Sequence, residues 1–185
     1  MVLGVGCRIG DRLPQDVAWV FNLGAPWLAI AFGLGAGAKT LVEGGARGAL
    51  AMAAAVVAYY VFASFFEKKT ALLYPTALGA LWLPVAVGGG AVFGTAGVAW
   101  RTRGPAVRVV SVALLAGVLI GEAGLMLLRP GHTGDFMFGA EWALGLVLPF
   151  VMLRKWREQA AAFVLAVGVS GLAFVVEQGL RLATR

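Results

Sequence analysis

Apolar positions in this chain come in long blocks, and polar ones are confined to short interruptions between them. Six blocks stand out: 17–38, 48–66, 76–100, 109–128, 139–153 and 160–182. Crossing the ~30 Å hydrocarbon layer of a bilayer takes about 20 helical residues. Most blocks meet that length, and the fifth is short. Only α-helices and closed barrels satisfy their backbone hydrogen bonds in lipid. Runs of this length without period-2 alternation therefore predict an all-α transmembrane bundle of five to six spanning helices. The connections are short, so consecutive helices are expected to be antiparallel neighbours. Residues 1–185 are expected to form one helical-bundle domain with no separate soluble part.

Proline and glycine modulate that picture. Pro26 follows Gly24 and Ala25, Pro84 falls inside the third block and Pro149 inside the fifth. Each predicts an irregular helix, because proline removes a backbone donor. Gly88, Gly89, Gly90, Gly94 and Gly97 leave one side of the third helix nearly bare. Close approach of another helix backbone is expected there, and a hinge or unwound ligand site is the sharper alternative.

Composition agrees with the block pattern. Of 185 residues 61% are hydrophobic and only 13% charged, half the ~25% charged share of soluble domains. The formal charge of +6 does not point to nucleic acid, because the basic residues sit in short clusters between apolar runs rather than on one folded face. These clusters are Lys68 and Lys69; Arg101, Arg103 and Arg108; and Arg154, Lys155 and Arg157. Basic residues divide almost evenly between the two faces that six alternating spans define. The tight clusters at 101–108 and 154–157 nevertheless place their face in the cytoplasm. Cys7 is the single cysteine, which excludes an intrachain disulfide and a CxxC pair. Positions 1–6 are too short for the apolar region of a signal peptide.

Candidate chemistry follows from acids located in or near apolar blocks. Glu122 lies six residues from the end of the fourth block, roughly 9 Å below the helix end at 1.5 Å per residue. A charge near the bilayer centre costs ~2.5–3.5 kcal/mol on insertion scales, so an acid at depth needs a partner, a proton or a water-filled cavity. Glu141 opens the fifth block and Glu177 comes late in the sixth. Glu67, beside two lysines, reads as an interfacial charge, and Glu141 as comfortable near a helix N-terminus. Antiparallel threading puts Glu122, Glu141, Glu177 and Asn22 toward one membrane face. Glu43 and Glu158 are expected in loops on the other.

Aromatic residues gather toward the face that carries the acids. Tyr59, Tyr60 and Phe66 end the second block, Trp142 adjoins Glu141, and Trp27 follows Asn22. An interfacial aromatic belt explains such residues equally well. His132 is the single histidine, in the loop with Asp135. No HExxH or ExxH pair exists, and no Walker loop, GxSxG elbow or dinucleotide fingerprint. Neither a metal nor a cofactor is therefore expected.

The stretch Asn22-Leu-Gly-Ala-Pro-Trp27, the later Gly48-Ala-Leu and Tyr59-Tyr60, and the segments around Gly90–Arg101 and Leu115–Glu122 resemble an uncharacterised family of small bacterial polytopic membrane proteins with an Asn-x-Gly-Ala-x-Trp segment. The resemblance implies a multi-pass protein of the bacterial inner membrane and carries no activity with it. That family starts with a further apolar helix, which residues 1–10 are too short to supply.

Function is therefore read from the acids. The leading expectation is an integral membrane enzyme that works like small terpene cyclases, by analogy of site chemistry rather than by sequence match. Burial disfavours the charged form of a carboxyl, so Glu122 would serve as general acid on a membrane-dissolved isoprenoid. Glu141 or Glu177 would be the second acid or final base. Asn22, Trp27, Tyr59, Tyr60, Phe66 and Trp142 would line the hydrophobic substrate and stabilise a migrating carbocation. The alternative is a small multi-pass permease or substrate-binding subunit with Glu122 as proton or cation site. No internal repeat is visible, so a homo-oligomer would have to supply the symmetry of a transporter. A third reading is an assembly partner in a larger membrane complex.

Overall fold

In the computed structural model the described residues are 24–66, 73–127 and 136–183. Among them the chain is all-α, with six helices: α1 (Ala25–Ala36), α2 (Leu41–Phe66), α3 (Leu73–Thr102), α4 (Pro105–Leu127), α5 (Phe136–Met152) and α6 (Trp156–Ala183). Three segments are long and apolar enough to cross a membrane: Leu41–Phe62, Trp82–Thr102 and Pro105–Leu127. Ala25–Ala36 and Phe138–Met152 are apolar but shorter. The helices turn apolar side chains outward, among them Leu50, Val61, Leu144, Phe150, Val164 and Leu172. Water would make such a surface a severe aggregation hazard, whereas lipid solvates it.

Five helices, α2 to α6, start earlier than the apolar blocks do, α2 by the widest margin. α2 begins at Leu41, seven residues before the apolar block, because the chain builds an N-terminal cap there. Thr40 Oγ1 accepts the Glu43 N–H at 3.1 Å, and Glu43 Oε2 accepts the Lys39 N–H at 2.8 Å. This is a capping box displaced by one residue on its return arm. Arg47 then donates to Glu43 Oε1 at 2.5 Å one turn on. Glu43, expected in a loop, is thus part of a helix, and Glu158 likewise lies in the first turn of α6. α5 begins at Phe136, so Glu141 falls in the second turn rather than at the helix opening. Pro26 occupies the first turn of α1, where its missing donor costs nothing. α3 is continuous through Gly88–Gly90 despite Pro84, and no unwound segment occurs there.

The chain forms two compact units, Met1–Val98 and Ala99–Arg185. The first is organised by glycines. Gly44 and Gly48 of α2 meet Gly90 and Gly94 of α3 backbone to backbone. A Cβ on Gly90 would lie 2.5 Å from Gly48 O, and one on Gly94 3.2 Å from Gly48 Cα. This is the i, i+4 small-residue contact that lets helices approach closely in lipid, where packing rather than hydrophobic burial drives association. α1 joins the same helix, with Gly35 against Gly94 and Gly97 against the Phe32 carbonyl. Thr95 Oγ1 reaches the Leu41 carbonyl at 3.4 Å.

α4 is central to the second unit and packs against both α5 and α6. Small residues again set the contacts: a Cβ on Gly117 would come within 2.9 Å of Ala166 O, and one on Gly145 within 3.0 Å of Ala116 O. Ser170 Oγ of α6 bonds the Gly117 carbonyl at 2.9 Å and its own helix's Ala166 carbonyl at 2.8 Å. At one end of this unit Val109, Val112, Ala113, Leu153 and Ala162 form a buried cluster flanked by Trp100 and Met152. Trp100 Nε1 donates to the Met152 carbonyl at 3.4 Å there.

Candidate functional site: a carboxyl pair

The site is built by the face that α5 turns toward α4. Phe138, Glu141, Gly145 and Pro149 recur at three- and four-residue spacing, and all four are buried. Gly145 brings the two backbones together: a Cβ there would meet Ile120 Cγ1 at 2.7 Å and Ile120 N at 3.2 Å. One turn away, Glu141 is drawn into the seam with 5% of its surface exposed. Its neighbour across the seam is Glu122 of α4, whose carboxyl interacts with it directly. Glu122 is half-buried.

Neither oxygen of Glu141 finds a partner in hydrogen-bond geometry among the described residues. A buried carboxylate in that state is costly, and the costs rise when a second carboxyl rather than a cation faces it. Both residues lie toward the same end of the unit. Glu122 is seventeen positions beyond Pro105, or about 25 Å along α4. Glu141 is eleven positions before Met152, about 16 Å along α5. The carboxyls thus sit far from the Trp100–Met152 contact. Among the described residues no three His, Cys, Asp or Glu side chains converge.

The other residues singled out in the sequence are placed as follows. Glu177 belongs to the last turns of α6. Trp142 adjoins Glu141 in sequence but is 45% exposed, on the side of α5 turned away from the seam. Trp27 is half-buried in α1. Tyr59 and Tyr60 are half-buried in α2 and pack edge to face, with ring centroids 5.3 Å apart. Phe66 is the last residue of α2. Asn22, Glu67, His132 and Asp135 lie outside the described residues.

The sequence pointed to Glu122 as the deep acid, yet Glu141 is the more buried of the two. The signal that would have found it is the 138–141–145–149 spacing, which marks one helix face and puts the acid in line with a glycine and a proline.

Apolar helices of this length, packed through small residues, define a helical membrane protein. The chain belongs to a family of unknown function, DUF6518, whose model matches residues 1–183. No curated protein matches it, and no solved structure does.

Proposed function

We propose that this membrane protein handles protons through the Glu122–Glu141 pair, as a small multi-pass permease in which proton binding accompanies movement of a solute. The observation that carries this reading is the buried carboxyl of Glu141, which faces a second acid, Glu122, across the α4–α5 seam. Two carboxyls that face each other favour sharing a proton. The step in burial from Glu122 to Glu141 supports a route, with the half-buried acid exchanging protons with water and the buried one storing them. Intramembrane acids serve such relays in pumps and transporters. A bacterial inner-membrane location is part of this proposal.

The test is modification by a membrane-permeant carbodiimide, which reacts with protonated carboxyls in apolar surroundings, followed by peptide mapping. Glu141 is expected to be labelled in wild type, and Glu141→Gln to abolish labelling of the pair. Absence of label from both acids overturns the proposal. In liposomes loaded with a pH-sensitive dye, a panel of small solutes should include one that acidifies the lumen in a Glu141-dependent way.

A second reading keeps the same acid for chemistry. In it a protonated Glu141, on the same buried face of α5 as Phe138, would be the general acid that protonates a membrane-dissolved isoprenoid and starts its cyclisation, with Glu122 as the final base. Conversion of a prenylated lipid in detergent, with no gradient present, would favour this enzyme over the permease.

A further inference from the structure

The end of the second unit opposite the carboxyl pair collects cations from three separate segments. Arg101 lies in the last turn of α3 and Arg103 just beyond it, Arg108 lies in the first turn of α4, and Arg154, Lys155 and Arg157 surround the α5–α6 turn. The Trp100–Met152 hydrogen bond and the Val109–Leu153–Ala162 cluster hold these segments together. All of these cations are exposed except Arg108, which is half-buried. Glu158 is the acid nearest in sequence, and no ion pair joins it to Arg154, Lys155 or Arg157 among the described residues.

Cations at such a place often serve to cap the last carbonyls of a helix. Here neutral donors do that work for α5. The Met152 carbonyl accepts from Trp100, and the Leu153 carbonyl accepts from Gln159 Nε2 at 2.9 Å. Arg154, Lys155 and Arg157 at that turn are left for an external anion. α4 and α6 both begin at this end, adding the positive poles of two helices. Trp156 is 71% exposed, with the Arg157 guanidinium 5.6 Å from its ring centroid. Tryptophan beside arginine at the end of an apolar helix is the composition of a headgroup-level anchor.

We propose that this basic end is a binding surface for the headgroups of anionic phospholipids in the adjoining leaflet. The phosphodiesters would lie across the 101–108 and 154–157 segments, with Trp156 at the level of the headgroups.

Native mass spectrometry of the full chain, titrated with phosphatidylglycerol or phosphatidylcholine, tests it. Phosphatidylglycerol is expected to bind more tightly, by a margin that shrinks with added salt. Loss of each cation should weaken binding about fivefold, so Arg154→Ser/Lys155→Ser/Arg157→Ser should weaken it about a hundredfold. The charge-conserving Arg154→Lys/Arg157→Lys pair should retain most of the affinity and shows that the turn still folds. Lys39→Ser, in the other unit, should change nothing. Equal affinity for the two lipids overturns the proposal, as does an unaffected triple variant. Glycerol phosphate displacing the lipid at equal concentration would also overturn it, since the surface would then read a soluble phosphate.

Discussion

Gly48 and Gly90 meet with no side chain between them, so that a single added methyl on either would strike the other's carbonyl. The same holds one turn away, where Gly94 lies against Gly44. Backbone contact of this kind has no give, because the atom in the way cannot rotate aside.

Enlarging these glycines should therefore loosen the first unit. Gly48→Val or Gly90→Val is expected to cost about 1–3 kcal/mol, the usual penalty for overpacking, read as a lower midpoint of thermal unfolding in detergent. Gly33 and Gly88 make the contrast, since a Cβ at either would meet nothing within 4 Å. Gly88→Ala should be neutral or should stabilise by ~0.5–1 kcal/mol through helix propensity alone. Equal losses at positions 88 and 90 would refute the glycine seam.

Glu141 should be a liability to the fold. Replacing it with Leu removes a buried carboxyl that faces a second acid, and relief of about 1–3 kcal/mol is expected. Glu141→Leu should thus unfold at a higher temperature than wild type while losing carbodiimide labelling of the pair. A destabilised variant would show that the carboxyl has a partner contributing to the fold.

Gly145 governs how closely α5 approaches α4. Gly145→Val would collide with Ile120 and the Ala116 carbonyl, driving the helices apart next to Glu141. Water should then reach the acid, and labelling by the apolar carbodiimide should fall although both acids are still present. Unchanged labelling would mean that the seam does not control access.

Thr40 should matter more than its exposed position implies. Thr40→Ala removes the hydroxyl that accepts the Glu43 N–H and is expected to cost about 1 kcal/mol. Because this bond does not depend on a cation, the loss should persist in high salt. The Arg47–Glu43 contribution, between exposed groups, should vanish there.

Much of the architecture was legible in the chain, and the failures have identifiable causes. Hydropathy alone located the helices because lipid solvation imposes one rule on every outward position. It misplaced the start of α2, because Gly44, Gly45, Arg47 and Gly48 resemble a loop when scored for apolarity. Thr40-x-x-Glu43 already announced that helix, by hydrogen bonding rather than hydropathy. Glu141 reads as interfacial for a related reason: the apolar block begins at Gly139, whereas the helix begins at Phe136. Three residues of helix turned an interfacial acid into a buried one. The meeting of Glu122 and Glu141 was foreseeable as to membrane face but not as to contact. Contact depends on Gly145, whose effect appears only when two helices are laid together.

Ser170 carries one proton for two acceptors, the Gly117 carbonyl of the neighbouring helix and the Ala166 carbonyl of its own. A hydroxyl can give that proton to only one of them at a time. If α6 slides or rolls slightly against α4, the donation can pass from the neighbour to the home helix without stranding a donor in hydrocarbon. The contact thus behaves as a bearing rather than a rivet, and small displacements beside the paired acids need not rupture the bundle.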